Sequence, residues 1–359
     1  MKKIAFLTNA LPISGVGHYS SELKKTLKNQ GSFEIEEYMF DGPKSSLFKN
    51  GQLLKQLYPW PIKTINWIRL GKRFKHLTSA FDALHATNQT LSFVVNQSKP
   101  SIVTVHDLIE LLDPQQLFSK SVARFLYRGI PKASHLIAVS EYTKKTIQEY
   151  YTIPSEKISV IHNGVSNDFY PIPDFKKTAD AKIVLYVGSE HPRKNLSTAL
   201  QAFAEVKKQM PEALFIKVGS AGIKTGRLQT LQQINQLKLE SAVRFVESVS
   251  QQQLNELYNL ADVFIYPSKF EGFGLPPLQA MAAGTPVVTS NSTSLPEIVG
   301  EAGIMHELSD TQAFAKTMLD IINNATLQNE LRNKGFIQAQ KFSWEEAALK
   351  TAKVYNSLI

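Results

Sequence analysis

The chain has 359 residues, enough for two domains with sizeable cores, and its hydrophobic content of 43% is typical of a globular protein. It contains no cysteine, which excludes disulfides and thiolate chemistry and agrees with a reducing compartment. The net charge of +9 is uneven, because residues 1–168 contain 21 Lys and Arg against 13 Asp and Glu. A basic first half indicates an anionic partner: nucleic acid, a phosphorylated substrate or an anionic membrane.

Short apolar runs alternate with longer amphipathic stretches along the chain. A first series predicts strands at 3–9, 81–87, 101–107, 135–140 and 157–164, with helices such as 17–29, 119–132 and 141–151. A second series predicts strands at 182–188, 213–219, 242–246, 262–268 and 285–291, again with helices between them. This alternation forms parallel sheets covered by helices. We therefore predict an α/β protein with two doubly wound, Rossmann-like domains.

The join between the two series lies at 163–182, which is rich in Pro, Asn and Asp. We expect an interdomain linker near 166–181, so that the domains span 1–165 and 166–341. Residues 342–359 form a predicted C-terminal helix that packs back toward the first domain. Its start carries Ser343 and Glu346, the spacing of a capping box. Two such domains would face each other across a cleft, where ligands usually bind.

The segment 58–81 is basic and amphipathic. Five large apolar residues form one helical stripe in it: Trp67, Leu70, Phe74, Leu77 and Phe81. A basic amphipathic helix of this kind can lie in an anionic bilayer interface, which predicts peripheral attachment at the inner face of the cell membrane. The alternative is that the stripe is buried in the core of the first domain. No apolar stretch approaches the length of a membrane span, so we expect a cytoplasmic protein.

Three stretches carry candidate ligand-binding residues in the first series and at the start of the second. Gly15 and Gly17 lie in a predicted loop that opens a helix, which suits either a phosphate or a plain strand–helix turn. His106 ends a strand, where it could donate a hydrogen bond, carry positive charge or serve the structure alone. Arg193 and Lys194 precede a predicted helix for which Asn195 is a plausible cap. Two cations there favour a bound phosphate over a solvated surface pair.

The stretch 269–288 places Glu271 in a glycine-rich turn before a helix of small residues. Its carboxylate can accept hydrogen bonds from ligand hydroxyls beside the N–H groups of Phe273 and Gly274, or can cap the local backbone. A carboxylate left unpaired in a dry turn would be costly, so we expect hydroxyl or amide partners.

Nearly the whole chain resembles the retaining glycosyltransferases of family 4, which have the GT-B fold. The resemblance is carried by segments such as "GVGHYSSEL", "VGSEHPRKNL" and "ADVFIYPSKFEGFGLPPLQAMAAGTPVVTSNSTSLPEIVG". It implies transfer of a hexose, with mannose as one option, from a GDP- or UDP-linked donor held by the second domain. The acceptor, a glycan or a lipid-linked glycan, would be held by the first domain.

The resemblance also assigns roles by position. Glu271 matches the first Glu of an E-x7-E pattern and would contact the donor sugar, while Gln279 replaces the second Glu, which usually binds the ribose. Arg193 and Lys194 match the pair that neutralises the diphosphate, and His106 matches a histidine near the reacting carbon. The donor-binding set implied by the resemblance further contains Gly15, Gly17, Gly188, Gly272, Phe273, Gly274 and Leu275. Glu247 stands where the family usually has Gly, near the expected nucleobase, which leaves base recognition open.

No D-x-D occurs in the chain, so we expect neither a metal nor another cofactor, with Arg193 and Lys194 replacing the metal's electrostatic role. Two alternatives remain. A nucleotide-sugar 2-epimerase shares the fold but needs acid/base carboxylates in the cleft, and the "EGFGLPP" region argues against it. A basic nucleic-acid-binding protein would need a recognisable docking module, which the sequence does not show, so no nucleic acid is expected as a partner.

Overall fold

The structure is a computed structural model. It describes residues 1–9, 15–41, 46–56, 69, 71–72, 74, 80–95, 98–112, 117–175, 181–222 and 225–359. The chain divides into two compact units. Unit 1 comprises Met1–Gly164 together with Trp344–Ile359, and unit 2 comprises Val165–Ser343. Each unit has its own sheet and helices, which confirms the predicted class of two parallel-sheet α/β domains.

Unit 1 contains eight described strands. They are β1 (Lys2–Thr8), β2 (Phe33–Asp41), β3 (Ser46–Lys49), β4 (Gln52–Gln56), β5 (Ala83–Ala86), β6 (Ser101–Val105), β7 (His135–Ala138) and β8 (Ile158–Val160). Its described α-helices are α1 (Gly15–Gln30), α2 (Ile109–Leu112), α3 (Leu117–Leu126), α4 (Glu141–Tyr151) and α12 (Trp344–Leu358). The strand order is β4-β3-β2-β1-β5-β6-β7-β8.

Not all of this sheet is parallel. Strands β2, β3 and β4 pair antiparallel, and all three were missing from the predicted strands. Their sequences explain the omission, because β2 reads "FEIEEYMFD", with three Glu interrupting the apolar residues, and β3 and β4 are short and contain Lys and Gln. Continuous apolar runs mark strands that are buried on both faces, and strands whose polar residues interrupt the run are missed.

Unit 2 contains β9 (Ile183–Val187), β10 (Leu214–Val218), β11 (Val243–Val246), β12 (Val263–Tyr266), β13 (Val287–Ser290) and β14 (Gly303–His306). Its described helices are α5 (Leu196–Gln209), α6 (Gly226–Gln236), α7 (Gln251–Leu260), α8 (Leu275–Ala282), α9 (Leu295–Val299), α10 (Thr311–Asn323) and α11 (Ala325–Ala339). The order β11-β10-β9-β12-β13-β14 is parallel throughout, and its topological switch point lies between β9 and β12.

The segment predicted as a linker is packed where the structure describes it. Phe169 is buried against the ring of Tyr258, and the N–H of Tyr170 donates to Asn255 Oδ1. The N–H of Ile172 donates to Asn259 Oδ1 at 2.8 Å. Residues 165–175 therefore belong to unit 2, and their Pro and Asn content marks irregular backbone instead of a free connection. The remainder of the predicted linker includes 176–180, which lie outside the described residues.

Two members of the predicted membrane stripe belong to the core of unit 1. Phe74 and Phe81 are buried and pack their rings against Tyr38. These two rings are therefore unavailable to a bilayer, as the core alternative required. Trp67, Leu70 and Leu77 lie outside the described residues.

A buried histidine joins α12 to the sheet of unit 1. His85, on β5, has its Nδ1 2.6 Å from the hydroxyl of Tyr355 and its Nε2 2.8 Å from Thr104 Oγ1. Burial, assisted by the nearby His106, lowers the pKa of His85 to about 3. The imidazole is therefore neutral, and protonating it would place a charge in a site that cannot solvate it.

We predict that unit 1 loses stability as the pH falls below about 6.5, the ordinary pKa of an unfolded histidine. The folded pKa of His85 is depressed, so the unfolded chain takes up the proton first, and each such histidine costs about 1.4 kcal/mol per pH unit. His106 adds to this slope, because burial lowers its pKa to about 4.

Urea denaturation at pH 6.5 and pH 5, followed by tryptophan fluorescence, measures this slope, since Trp60, Trp67 and Trp344 all lie in unit 1. His85→Gln keeps a hydrogen-bonding side chain that does not titrate, and should reduce the slope by about half. An unchanged slope in this variant would show that His85 does not stay neutral in the folded state.

Candidate active site

The predicted charged residues of unit 2 meet at its topological switch point. Arg193 and Lys194 lie in a short 3₁₀ turn, Pro192–Lys194, that follows β9. Glu271 lies in the turn that follows β12, the strand beside β9. In open α/β sheets, ligands bind outside the carboxyl ends of the strands at this point. The topology thus brings Glu271 to Lys194, which lies 77 positions earlier in the chain, and to the neighbouring Arg193.

The carboxylate of Glu271 is the centre of this cluster. Its Oε1 accepts hydrogen bonds from Lys194 Nζ at 2.6 Å, Tyr266 Oη at 2.8 Å and Ser268 Oγ at 2.6 Å. Arg193 Nη1 lies 3.8 Å from the same oxygen. The hydroxyl groups of Tyr266 and Ser268 agree with the expectation that a carboxylate in a dry turn has hydroxyl partners. Lys194 adds a positive charge beside it. None of these bonds reaches Oε2.

The electrostatics keep Glu271 ionised although it is only 8% exposed. Burial by itself would raise the pKa of the carboxyl, but the charges of Lys194 and Arg193 and the hydrogen bonds outweigh it, so the pKa lies below its ordinary value. The cluster holds two cations and one anion and keeps a net charge of +1. It can therefore still attract a phosphate.

The surrounding segments hold the cluster in place. The backbone oxygen of Arg193 accepts a hydrogen bond from the N–H of Lys269, and Arg193 Nη1 donates one to the carbonyl of Phe270. On the other side, Thr293 Oγ1 accepts from the N–H of Glu271, and Ser294 Oγ donates to the carbonyls of Glu271 and Phe273. Sequence reasoning missed these hydroxyls. The polar run "SNSTS" after β13 was the available signal.

The helix after Glu271 begins as the motif predicted. Gly274 is the N-cap of α8 with φ = +118°, a left-handed conformation that suits glycine. A Cβ there would also lie 3.0 Å from Leu295 Cδ2. Leu275 is the first residue of α8, and Pro276 and Pro277 carry no N–H. The N–H of Leu275 therefore has no acceptor within the helix, and Gly272 and Phe273 lie in the turn before it.

Asn195 and Gln279, two residues of unit 2 singled out in the sequence, differ in their hydrogen bonding from what their motifs predicted. Asn195 occupies the N-cap position of α5, but its side chain makes no capping bond, because the residue is left-handed with φ = +54°. Gln279 is half-buried on α8, and its Oε1 accepts from Tyr258 Oη at 3.3 Å. Its amide nitrogen and remaining lone pair are the groups that a ligand could use.

Gly188 follows β9 and lies close to the neighbouring loop. Its N–H donates to the carbonyl of Val218, the last residue of β10. A Cβ on Gly219, which has φ = +112°, would lie 2.9 Å from the carbonyl oxygen of Gly188. These glycines let the loops after β9 and β10 pack closely at the carboxyl edge of the sheet.

His106 is in unit 1, at the end of β6, and it is neutral. Burial lowers its pKa to about 4, although the Thr87 carbonyl favours the protonated form. Nε2 lies 2.9 Å from that carbonyl and must donate to it, so the proton is on Nε2 and Nδ1 is an acceptor. The edge of the Tyr19 ring fixes the imidazole, with centroids 4.8 Å apart. Of the roles that the sequence left open, a positive charge at neutral pH is therefore excluded, and the hydrogen-bond donor is already used by the backbone.

Gly15 and Gly17 belong to α1 and not to the loop before it. Gly15 is exposed and is the first residue of the helix, and Gly17 is buried within the first turn. The N–H groups of a first turn have no acceptor within the helix itself. The Tyr19 that contacts His106 is on the same helix, which brings the start of α1 close to His106 within unit 1. Residues 10–14 lie outside the described residues.

Comparison with known proteins decides the family. Residues 13–169 match the family model "Glycosyltransferase Family 4", and residues 172–338 match the model "Glycosyl transferases group 1". Together the two matches cover most of the chain.

The chain is a family 4 glycosyltransferase.

Individual relatives and structures agree with this family. The transferase is 28% identical to the O-antigen chain mannosyltransferase B of Escherichia coli over 402 aligned positions, which cover 99% of this chain and 100% of the relative. Among solved structures, it is similar to the sucrose-phosphate synthase of Thermosynechococcus elongatus, with a TM-score of 0.83, 22% identity and coverage of 100% and 99%. It is also similar to HepE of Anabaena in complex with UDP-glucose, with a TM-score of 0.78, 20% identity and full coverage of both chains. These structures establish the GT-B fold.

Among the residues that the structure of the transferase describes, no helix is both long enough and apolar enough to cross a bilayer.

We predict that Lys194→Met destabilises unit 2 of the transferase much more than Arg193→Met. Removing one partner of a buried ion pair costs about 3–5 kcal/mol, and we expect about 3 kcal/mol because Arg193 and two hydroxyls still face Glu271. Arg193 is more exposed and lies 3.8 Å away, so its loss should cost about 1 kcal/mol or less. Urea denaturation followed by far-UV circular dichroism compares the two variants.

The control is Glu271→Gln in the Lys194→Met background. The double variant has no unpaired buried carboxylate and should recover part of the lost stability. Equal destabilisation by Lys194→Met and Arg193→Met would contradict the geometry of the cluster.

Proposed function

We propose that this glycosyltransferase moves a mannosyl residue from a nucleoside diphosphate donor to a glycan acceptor, with retention of the anomeric configuration and without a metal. The observation that carries the proposal is the Arg193–Lys194–Glu271 cluster at the switch point of unit 2. The choice of mannose is supported by the mannosyltransferase relative, and the choice of a nucleotide sugar is supported by the UDP-glucose complex of HepE.

The cations and the carboxylate of the cluster would bind different parts of the donor. The diphosphate would lie against Arg193 and Lys194, which compensate its negative charge. The donor sugar would place hydroxyl groups against Glu271 Oε2, because a carboxylate accepts hydroxyl hydrogen bonds strongly. On diphosphate binding, Lys194 Nζ would share its hydrogens between the carboxylate and a phosphate oxygen. This arrangement orients the sugar relative to its leaving group.

The reaction breaks the bond between the anomeric carbon and the phosphate oxygen and forms a bond from that carbon to an acceptor hydroxyl oxygen. Positive charge develops on the sugar ring while the phosphate gains negative charge. Cations fixed before the reaction stabilise that phosphate by about 2–4 kcal/mol per strong donor. For retention, the acceptor attacks from the face that the phosphate leaves, and its proton passes to a phosphate oxygen. The products are a glycoside and a nucleoside diphosphate.

His106 would act as a hydrogen-bond acceptor for a sugar or acceptor hydroxyl. Its Nδ1 carries a lone pair and no proton, because Nε2–H donates to Thr87. Its pKa near 4 keeps this state at neutral pH. A lipid-linked glycan is the acceptor class that would explain the basic first half of the chain, since anionic headgroups attract such a surface.

The test is incubation of the full chain with a panel of nucleotide sugars and oligosaccharide acceptors. We expect release of the nucleoside diphosphate and a glycoside whose anomeric configuration by NMR matches the donor, with the rate unchanged by EDTA. A product of inverted configuration would overturn retention, and loss of activity in EDTA would overturn metal independence. An epimerised donor without transfer would overturn the proposed reaction itself.

We predict that Gln279→Glu tightens donor binding by about 1 kcal/mol, the difference between a charged and a neutral hydrogen bond. One carboxylate oxygen can still accept from Tyr258 Oη, and the second can accept from a ribose hydroxyl. The change should appear in the donor KM, because ribose contacts persist into the transition state. Donor titration compares it with Gln201→Glu, which adds the same charge at an exposed position of α5. Weaker or unchanged affinity would mean that the amide of Gln279 is itself the ligand group, or that it serves the structure alone.

A further inference from the structure

Four charged side chains form a chain of ion pairs along the carboxyl edge of β9, β10 and β11. Lys217 Nζ donates to Glu190 Oε1 at 2.9 Å, and Arg227 Nε donates to the two oxygens of Glu190 at 2.9 and 3.1 Å. Arg227 Nη1 lies 3.0 Å from Glu247 Oε1. These residues are outside the Glu271 cluster, and the proposed reaction has not used them.

The exposure of the side chains rises along this chain. Those of Lys217 and Glu190 are fully buried, that of Arg227 is 25% exposed and that of Glu247 is 65% exposed. The buried end is satisfied, because Lys217 Nζ also donates to the carbonyls of Gly219 and Ser220. Burying two opposite charges costs desolvation free energy, so the pair contributes little net stability. The Lys217–Glu190 pair is therefore better explained by the geometry that it fixes.

The fixed geometry ends at the carboxylate of Glu247. The Arg227 guanidinium is held by Glu190 on one side and lies over the ring of Phe245, 4.2 Å from its centroid. An exposed glutamate ordinarily samples many rotamers, but here the immobilised Arg227 restrains it. The carboxylate is therefore positioned and still largely exposed, as a ligand-binding group must be.

The location of Glu247 suits the nucleoside part of a donor. Glu247 directly follows β11, and β11 lies two strands away from β9. Glu247 is therefore about 10 Å along the carboxyl edge of the sheet from the loop that contains Arg193 and Lys194. On the other side of the switch point, Thr293 and Ser294 close the loop after β13 against the Glu271 turn. From the Arg193 and Lys194 loop, the nucleoside would therefore extend over the carboxyl ends of β10 and β11, toward Glu247.

The chemistry of a carboxylate distinguishes the bases. Guanine presents two adjacent donors, N1–H and the 2-amino group, and the two oxygens of a carboxylate can accept both with charge-assisted bonds. Uracil presents one N–H between two carbonyl oxygens, so the second carboxylate oxygen would face another acceptor. We propose that Glu247, positioned by Arg227, selects a guanine nucleotide as the donor of this enzyme. This inference rests on the proposed function.

The test is calorimetric titration of the full chain with GDP, IDP and UDP. IDP lacks only the 2-amino group of GDP, so it isolates one of the two proposed hydrogen bonds. We expect the wild type to bind GDP at least tenfold more tightly than UDP and severalfold more tightly than IDP. Glu247→Gln should weaken GDP about tenfold, remove the difference between GDP and IDP, and leave UDP unchanged.

The matched control is Glu240→Gln, which removes the same charge from an exposed residue that accepts from Asn235. It should leave all three affinities unchanged. Preference of the wild type for UDP, or GDP binding by Glu247→Gln equal to that of the wild type, would overturn the selection by Glu247 while leaving the transferase function in place. Binding of none of the nucleotides would overturn both proposals.

Discussion

One carboxylate oxygen, Glu271 Oε1, organises the site in unit 2. It is buried, and an isolated charge there would be so costly that the carboxyl would take up a proton. Lys194, Tyr266 and Ser268 offset that cost with short hydrogen bonds, and Arg193 adds its charge at 3.8 Å. Because these partners come from the segments following β9 and β12 and from β12 itself, the same bonds fix both loops at the switch point before any ligand binds. Preorganisation of this kind lets a site favour developing charge without a reorganisation cost.

The charge balance of unit 2 gives the two ends of a donor different surroundings. At the switch point, two cations outnumber one anion, which suits a diphosphate. Along β10 and β11, the pairs Lys217–Glu190 and Arg227–Glu247 are balanced, and the outermost group is a carboxylate. A phosphate is attracted to the first region and repelled from the carboxylate of the second, whereas a base with N–H donors fits the second. In the proposed site, this order of charges on the sheet would set the orientation of a bound nucleotide.

Much of the fold could be predicted because the central strands of both sheets are buried on both faces and appear as continuous apolar runs. Strand β14, with its half-buried residues, was missed for the same reason as β2 to β4. The packing of residues 165–175 on α7 could not be predicted either. It depends on the side chains of Asn255 and Asn259 meeting a distant backbone segment.

For the site, the sequence motifs identified Glu271, Arg193 and Lys194 as candidates but did not indicate that they bond to one another. That contact depends on β9 and β12 being neighbours, which follows from the strand order and not from any local pattern. The sequence left the protonation state of His106 open, because that state depends on one backbone carbonyl, that of Thr87, and on burial. Motifs give residue types and spacing, whereas charge states depend on which groups the fold places beside them.

The central claim is that the cations beside Glu271 hold the donor's diphosphate, and nucleotide binding by Arg193→Ala tests it most directly. Calorimetry should compare GDP with guanosine, which lacks the phosphates, in the wild type and in the variant. The account predicts that the wild type binds GDP far more tightly than guanosine. It also predicts that Arg193→Ala loses about 2 kcal/mol or more of that difference, while guanosine binding and the unfolding transition change little. If Arg193→Ala binds GDP as the wild type does, Arg193 is a surface residue and the account of the site is wrong.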